Sequence, residues 1–165
     1  MQDYRSDVDK EMRTNFESWT NNLAEWEGFR SNDREDPGGD TVFGIARAFY
    51  PNEPWPPTWE RAKEIYMSDY WIKNGCDNLP FPLDVIHADS CVNPGPGAAK
   101  KFLYNSSEHK DIDRRCIEYL TLRQRYYLKK VQETPAKIKF ICGWMDRTLD
   151  MIERAVISKW DAEYL

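Results

Sequence analysis

At 165 residues the chain is long enough to bury a core of its own, and 41% apolar against 31% charged residues is a globular rather than a disordered balance. A net charge of −5, with no stripe of Lys and Arg interleaved with aromatics, argues against nucleic acid as a partner. No apolar run approaches the roughly 18 residues of a membrane-spanning helix, so stable membrane insertion is not expected.

The opening residues, MQDYRSDVDKEMR, lack the basic stretch and apolar run of a secretory signal, which predicts synthesis in the cytoplasm. Residues 8–28 read as a helix. Met12, Phe16, Trp19, Leu23 and Trp26 recur at three- and four-residue steps, and Gly28 stands where a C-cap would. The next stretch, WEGFRSNDREDPGGDTVFGI (26–45), has no helical period. Asp36-Pro37-Gly38-Gly39 suits a type II turn, with Pro fixing φ at the second position and Gly accepting positive φ at the third. Short strands around it would form a small β-hairpin.

Proline-rich YPNEPWPP (50–57) leads to Thr58, a candidate N-cap for a helix to about Asn74 that carries Ala62, Ile65, Tyr66, Asp69 and Tyr70. After the loop GCDNLPFP (75–82), a short apolar helix covers 83–93, PGPG (94–97) breaks it, and AAKKFLY starts another. NSSEHKD (105–111) reads as a surface turn, and 112–132 as a helix with Ile117, Leu120, Tyr127 and Val131 on one face. Thr134-Pro135 supplies an N-cap and first-turn proline for a last helix. Its stripe of Ile138, Ile141, Cys142, Met145, Leu149, Ile152 and Val156 predicts a core-facing surface.

The predicted class is α+β, mainly α, with the hairpin after the first long helix. The predicted organisation is one domain with a lobe over 1–82 and a helical lobe over 83–165. Cys76, Cys91, Cys116 and Cys142 contain no Cys-x-x-Cys pair, and His87 and His109 are the only histidines. No metal site or cofactor is therefore expected, and the thiols should be reduced and partly buried.

Spacing singles out Glu27. It should stand at the end of the first helix, near the negative end of the macrodipole, which disfavours its ionised form. Desolvation by apolar neighbours would raise its pKa further. A carboxyl that keeps its proton near neutral pH is what a general acid for glycosidic cleavage requires. Asp36 in the turn and Thr41 beyond it would bring a second carboxylate and a hydroxyl to the other side of a cleft. There they could hold a water or steady an oxocarbenium-like transition state.

Plainer readings stand beside these. Glu25 lies about 200° around the helix from Glu27 and cannot share its cleft. Asp33, Glu35 and Asp40 read as turn and surface charges, Asp36 could simply cap its own turn, and Thr41 could be an ordinary strand residue. His87 and Asp89 fall on an apolar helix, where a satisfied core or interface role is expected.

The motifs, taken in order, resemble a known family. EGFR (27–30), ND (32–33) and DPGGDTVFGI (36–45) align without gaps on a family pattern. That pattern is Glu-Gly-Gly-Tyr, Asn-Asp and Asp-Pro-Gly-Gly-x-Thr-x-x-Gly-Ile of the glycoside hydrolase family 108 N-acetylmuramidases, lysozyme-like enzymes of phages and bacteria. AKEIYMSDYWIKNGCDNLP (62–80) is similar to the family's helix ending in Tyr-Trp, and DSCVNPGPGAAKKFL (89–103) to its Asp-x-x-Val-Asn-x-Gly segment. Arg123 to Trp144 resembles its closing Arg-rich helix and Gly-Trp, so the resemblance spans residues 10–155. Phe29 and Arg30 stand where the family has its second Gly and its Tyr. Between Tyr104 and Arg114 the chain is shorter and lacks an Asp-Gly-x-x-Gly-Pro-x-Thr segment.

The resemblance implies a lysozyme-like fold with Glu27 as the catalytic glutamate, and Asp36 and Thr41 as its supporting carboxylate and hydroxyl. Tyr70, Trp71 and Asn93 fall in segments that would line the cleft as substrate contacts. It further implies a monomer that needs no cofactor and acts on bacterial peptidoglycan. The bond cut would be the β-1,4 link between N-acetylmuramic acid and N-acetylglucosamine, as by a phage endolysin released from the host cytoplasm to the wall. Two alternatives remain open: a non-catalytic lysozyme-like wall-binding protein, and a lytic transglycosylase in which the sugar's own hydroxyl attacks. The acidic net charge gives no electrostatic pull toward an anionic wall.

Overall fold

The computed structural model describes residues 14–24, 30–31 and 40–157; of 30–31 only the backbone is described. They divide into two compact units, one ending at Lys73 and one beginning at Asn74. The class is as expected, mainly α with one small antiparallel sheet.

In the first unit, residues 14–24 form α1, the described part of the first predicted helix. Its three- and four-residue steps bury Phe16, Trp19 and Leu23 on one face. Three two-residue strands follow, β1 (Arg30–Ser31), β2 (Thr41–Val42) and β3 (Ile45–Ala46), antiparallel in the order β1-β2-β3. The two-residue loop Phe43-Gly44 has φ of 50° and 74°, the left-handed pair that matches the twist of a tight hairpin. Helix α2 (Trp59–Ile65) begins where expected: the Thr58 hydroxyl accepts the Arg61 N–H at 3.2 Å. It continues as π-helical turns over Tyr66–Trp71. Trp71 and Tyr66 from this stretch meet Phe16 and Trp19 of α1 edge-on or tilted, with ring centroids 5.5–5.8 Å apart.

In the second unit, α3 (Leu83–Val92), α4 (Pro96–Asn105), α5 (Ile112–Glu133) and α6 (Ile141–Met151) pack around a core that is partly ionic. Gly95, at φ 95°, turns the chain so that Pro96 can open α4. Asp111 caps α5 by accepting the Arg114 N–H at 2.9 Å. The carboxylate of Asp89 on α3 is buried and bound by Arg123 of α5 at 2.6 Å and by Arg147 of α6 at 2.8 Å. The Arg123 Nε donates to the Tyr127 hydroxyl at 3.0 Å, and the Tyr127 ring stacks on Trp144 at 4.8 Å. Burial opposes the charge on Asp89, yet Arg147 and Arg123 outweigh it and hold its carboxyl below the usual range.

Two expectations fail at the C-terminal end. Thr134 makes no side-chain cap; Pro135–Phe140 is a 3-10 turn and the last helix starts only at Ile141. The stripe predicted as core is largely uncovered, with Ile138, Cys142, Met145 and Leu149 exposed, while Arg147, Thr148 and Met151 face inward. Ile117 of α5 is exposed too, whereas Leu120 and Tyr127 are buried as expected. The inward arginine decides the rotation, because a half-paired buried Asp89 would cost more than the apolar area left in water. Cys76, Cys91 and Cys116 are buried free thiols; burial pushes Cys91 and Cys116 up to about 12 and Cys76 further, so they stay protonated.

Removing the shared carboxylate leaves two buried guanidinium groups without their counter-ion. Asp89→Ala should destabilise by about 3–5 kcal/mol, read from the denaturant midpoint of the second unit's unfolding. A loss under about 1 kcal/mol would refute the pairing.

His87 is also a satisfied core residue, its Nδ1 2.9 Å from the Tyr119 hydroxyl and its Nε2 3.8 Å from Cys91 Sγ. Burial penalises its cationic form and lowers its pKa from 6.5 to about 4. The unfolded ring gains a proton as pH falls through about 6.5, the folded ring only near the lower value, so between them the unfolded state binds more protons. Stability should fall across that window with a slope approaching 1.4 kcal/mol per pH unit. Replacing His87 with Gln should flatten that slope, measured by denaturation at stepped pH.

Candidate active site

Glu27 and Asp36 lie outside the described residues, as do Glu25, Asp33 and Glu35. Thr41 is placed: it sits in β2, the central strand, opposite Ser31 on one side and Ala46 on the other. Its neighbour Val42 is buried, so strand alternation turns the half-buried Thr41 to the opposite face of the sheet.

The hairpin is held from both ends. At its tip the Tyr66 hydroxyl donates to the Phe43 carbonyl at 2.7 Å, and the Phe43 ring packs on Trp59 at 5.2 Å. These contacts fix a non-glycine residue in the left-handed region, a conformation that costs on the order of 1–2 kcal/mol. At its base Asp40, read from sequence as a surface charge, accepts the indole N–H of Trp55 at 2.7 Å. The Asp40 carbonyl accepts the Arg47 N–H at 3.0 Å. Thr41 therefore stands between two fixed points.

Tyr70 and Trp71 leave the π-helical stretch in different directions. Tyr70 is half-buried and tilts against Tyr66 at 5.3 Å. Trp71 is wholly buried against Phe16 and Trp19, so its ring packs the core and meets no surface. Next to Tyr70, the Tyr50 hydroxyl donates to Asp69 Oδ2 at 2.9 Å, and Ser68 donates to Oδ1 at 3.2 Å. Burial, then the bond to Asp69, raises the Tyr50 pKa well above its ordinary value, so the hydroxyl keeps its proton. Sequence reading missed this Tyr50–Asp69–Tyr70 group. Helical spacing put Asp69 and Tyr70 on one element, but nothing local linked them to Tyr50 nineteen positions before Asp69.

Asn93 belongs to the second unit, at the C-cap of α3. Its side-chain oxygen accepts the Tyr127 hydroxyl, which ties it to the Asp89–Arg123 network. No group of His, Cys, Asp and Glu among the described residues is arranged to hold a metal ion, and no described helix is long and apolar enough to cross a membrane.

The bond from Tyr66 to the hairpin tip generates a test. Tyr66→Phe removes one buried hydrogen bond and leaves the Phe43 carbonyl without that donor, which should cost about 1–2 kcal/mol. Thermal melts should show the loss, and an unchanged melting temperature would rule out the anchoring role.

Comparison with known proteins supplies two likenesses. Residues 20–95 match the model of glycosyl hydrolase 108, a span that includes Glu27, the hairpin and α2. The solved structure of Brucella abortus SagA superposes with a TM-score of 0.68 at 22% identity, covering 96% of this chain and 99% of that one. That likeness concerns the fold. No curated protein matches the chain. Residues 20–95 are thus similar to the glycosyl hydrolase 108 family, and the mainly α fold with its one small antiparallel sheet is shared with SagA.

Proposed function

We propose that this chain is an N-acetylmuramidase of the endolysin type, cutting the β-1,4 bond between N-acetylmuramic acid and N-acetylglucosamine in peptidoglycan. The observation that carries the reading is the family match, whose span of residues 20–95 takes in Glu27, Asp36 and Thr41. In this reading Glu27 donates its proton to the glycosidic oxygen as the bond to the sugar carbon breaks. A water held by Asp36 and the Thr41 hydroxyl adds to that carbon and returns a proton to a carboxylate. The anchored hairpin supports this role for Thr41, because a rigid strand positions a hydroxyl better than a loop does.

The remaining roles follow the burial. Tyr70 offers a half-exposed ring to a sugar face, with Tyr50 and Asp69 beside it as hydrogen-bonding groups for hydroxyls. Trp71 supports the stretch from inside. Asn93, whose amide oxygen is engaged by Tyr127, would meet substrate through its amide N–H groups. The proposed site of action is the cell wall, reached after release from the host cytoplasm. We also retain a lobe boundary near residue 82 as a proposal for the functional division of the chain.

Digestion of purified peptidoglycan followed by mass spectrometry tests the reading. Reducing N-acetylmuramic acid ends are expected; anhydro ends would indicate a transglycosylase, and an undigested wall at high dose a binding protein. Glu27→Gln should lower lysis by at least about 10²-fold, the lower range of general acid catalysis, while Glu25→Gln stays within a few-fold. If Glu25→Gln is the inactive variant, the assignment of the acid fails.

A further inference from the structure

Helix α6 is inverted. Its inward face carries Arg147 and Thr148 beside Met151, while Met145 and Leu149 stand 45% and 57% exposed. Opposite them on α5, Ile117 and Leu128 are 44% and 52% exposed, and the two helices frame an apolar groove of about 260 Å³ floored by Leu120 and Ile152. A monomer gains nothing from such a face, because each half-exposed side chain keeps part of its apolar surface in water. Large contiguous apolar patches mark interfaces.

The rims of the groove indicate what covers it. One turn outward on α5 lie Arg114 and Arg125, with Glu118 between them; one turn outward on α6 lie Asp146 and Glu153. One rim is net basic and the other acidic, so the face is complementary to itself. Helices α5 and α6 are joined by residues 134–140 and run antiparallel, which brings the Leu128 end of α5 level with the Met145 end of α6. A two-fold axis parallel to the helices would set α5 of one copy over α6 of the other. It would bring Arg125 opposite the partner's Asp146 twice, by symmetry. The alternative axis, which sets α5 on α5, would oppose like rims.

We propose that the α5–α6 face is closed by a second copy of this chain, forming an antiparallel four-helix contact in which Arg125 of each copy meets Asp146 of the other. The sequence alone led to an expectation of a monomer. The inference is independent of the hydrolase reading, since no proposed site residue lies on this face.

Sedimentation equilibrium of the full chain is the test. The wild type should approach twice the 19.6 kDa chain mass at tens of micromolar, a typical range for a modest interface. Leu149→Asp should sediment as a monomer with unchanged far-UV circular dichroism and melting temperature at low concentration. Arg125→Asp and Asp146→Arg should each weaken association by about tenfold or more, and the double swap should restore it to within a few-fold. A wild type that stays monomeric up to about 1 mM overturns the proposal. So does a mass above two chains, or a double swap that rescues nothing.

Discussion

The carboxylate of Asp89, held between Arg123 and Arg147, is the point on which the second unit turns. Each of the three groups comes from a different helix. A rotation or slide of any one helix strands a charge that water can no longer reach, at a cost of several kcal/mol. Buried ion pairs add little net stability over a hydrophobic core of equal volume, so what this cluster supplies is selection among packings. Its excess positive charge is softened by the Tyr127 ring, 5.7 Å from the Arg123 guanidinium carbon, and Trp144 stacks behind that ring. The outward turn of the apolar stripe on α6 is a direct cost of pointing Arg147 inward.

The first unit is organised by shape instead of charge. Trp19, Tyr66, Trp71 and Phe16 form one aromatic cluster whose edge-to-face contacts fix α1 against the helix that follows the hairpin. Tyr66 links that cluster to chemistry, since its ring is core and its hydroxyl sets the hairpin tip. Any displacement of the core is felt at Thr41 through Phe43 and Val42. This is how a fold rich in tryptophan can hold a small β element still.

Much of this was legible in the sequence, for local reasons. Thr58 before an amphipathic run and Gly95-Pro96 ahead of α4 each solve a problem within a few residues of themselves. The partners of Asp89 lie 34 and 58 positions away, beyond the reach of periodicity. Nothing within a few residues of Arg123 or Arg147 marks either as buried. For α6 the three- and four-residue spacing reported correctly that one face is apolar; it carries no information on what that face meets. Asp40, Tyr50 and Asp69 were passed over for the same reason, because their hydrogen-bond partners lie 15 to 19 residues distant.

The separation between Asp89 and its two arginines also orders events during synthesis. Helix α3 leaves the ribosome carrying an acid whose first partner follows 34 residues later and whose second follows 58 residues later. Until α6 has emerged, α3 has every reason to keep Asp89 in water and therefore to stay undocked. Docking of α3 against α5 and α6 is thus coupled to the arrival of both arginines. A nascent chain of this design avoids committing its apolar α3 to a premature core, since the charge it carries withholds the reward until α6 arrives.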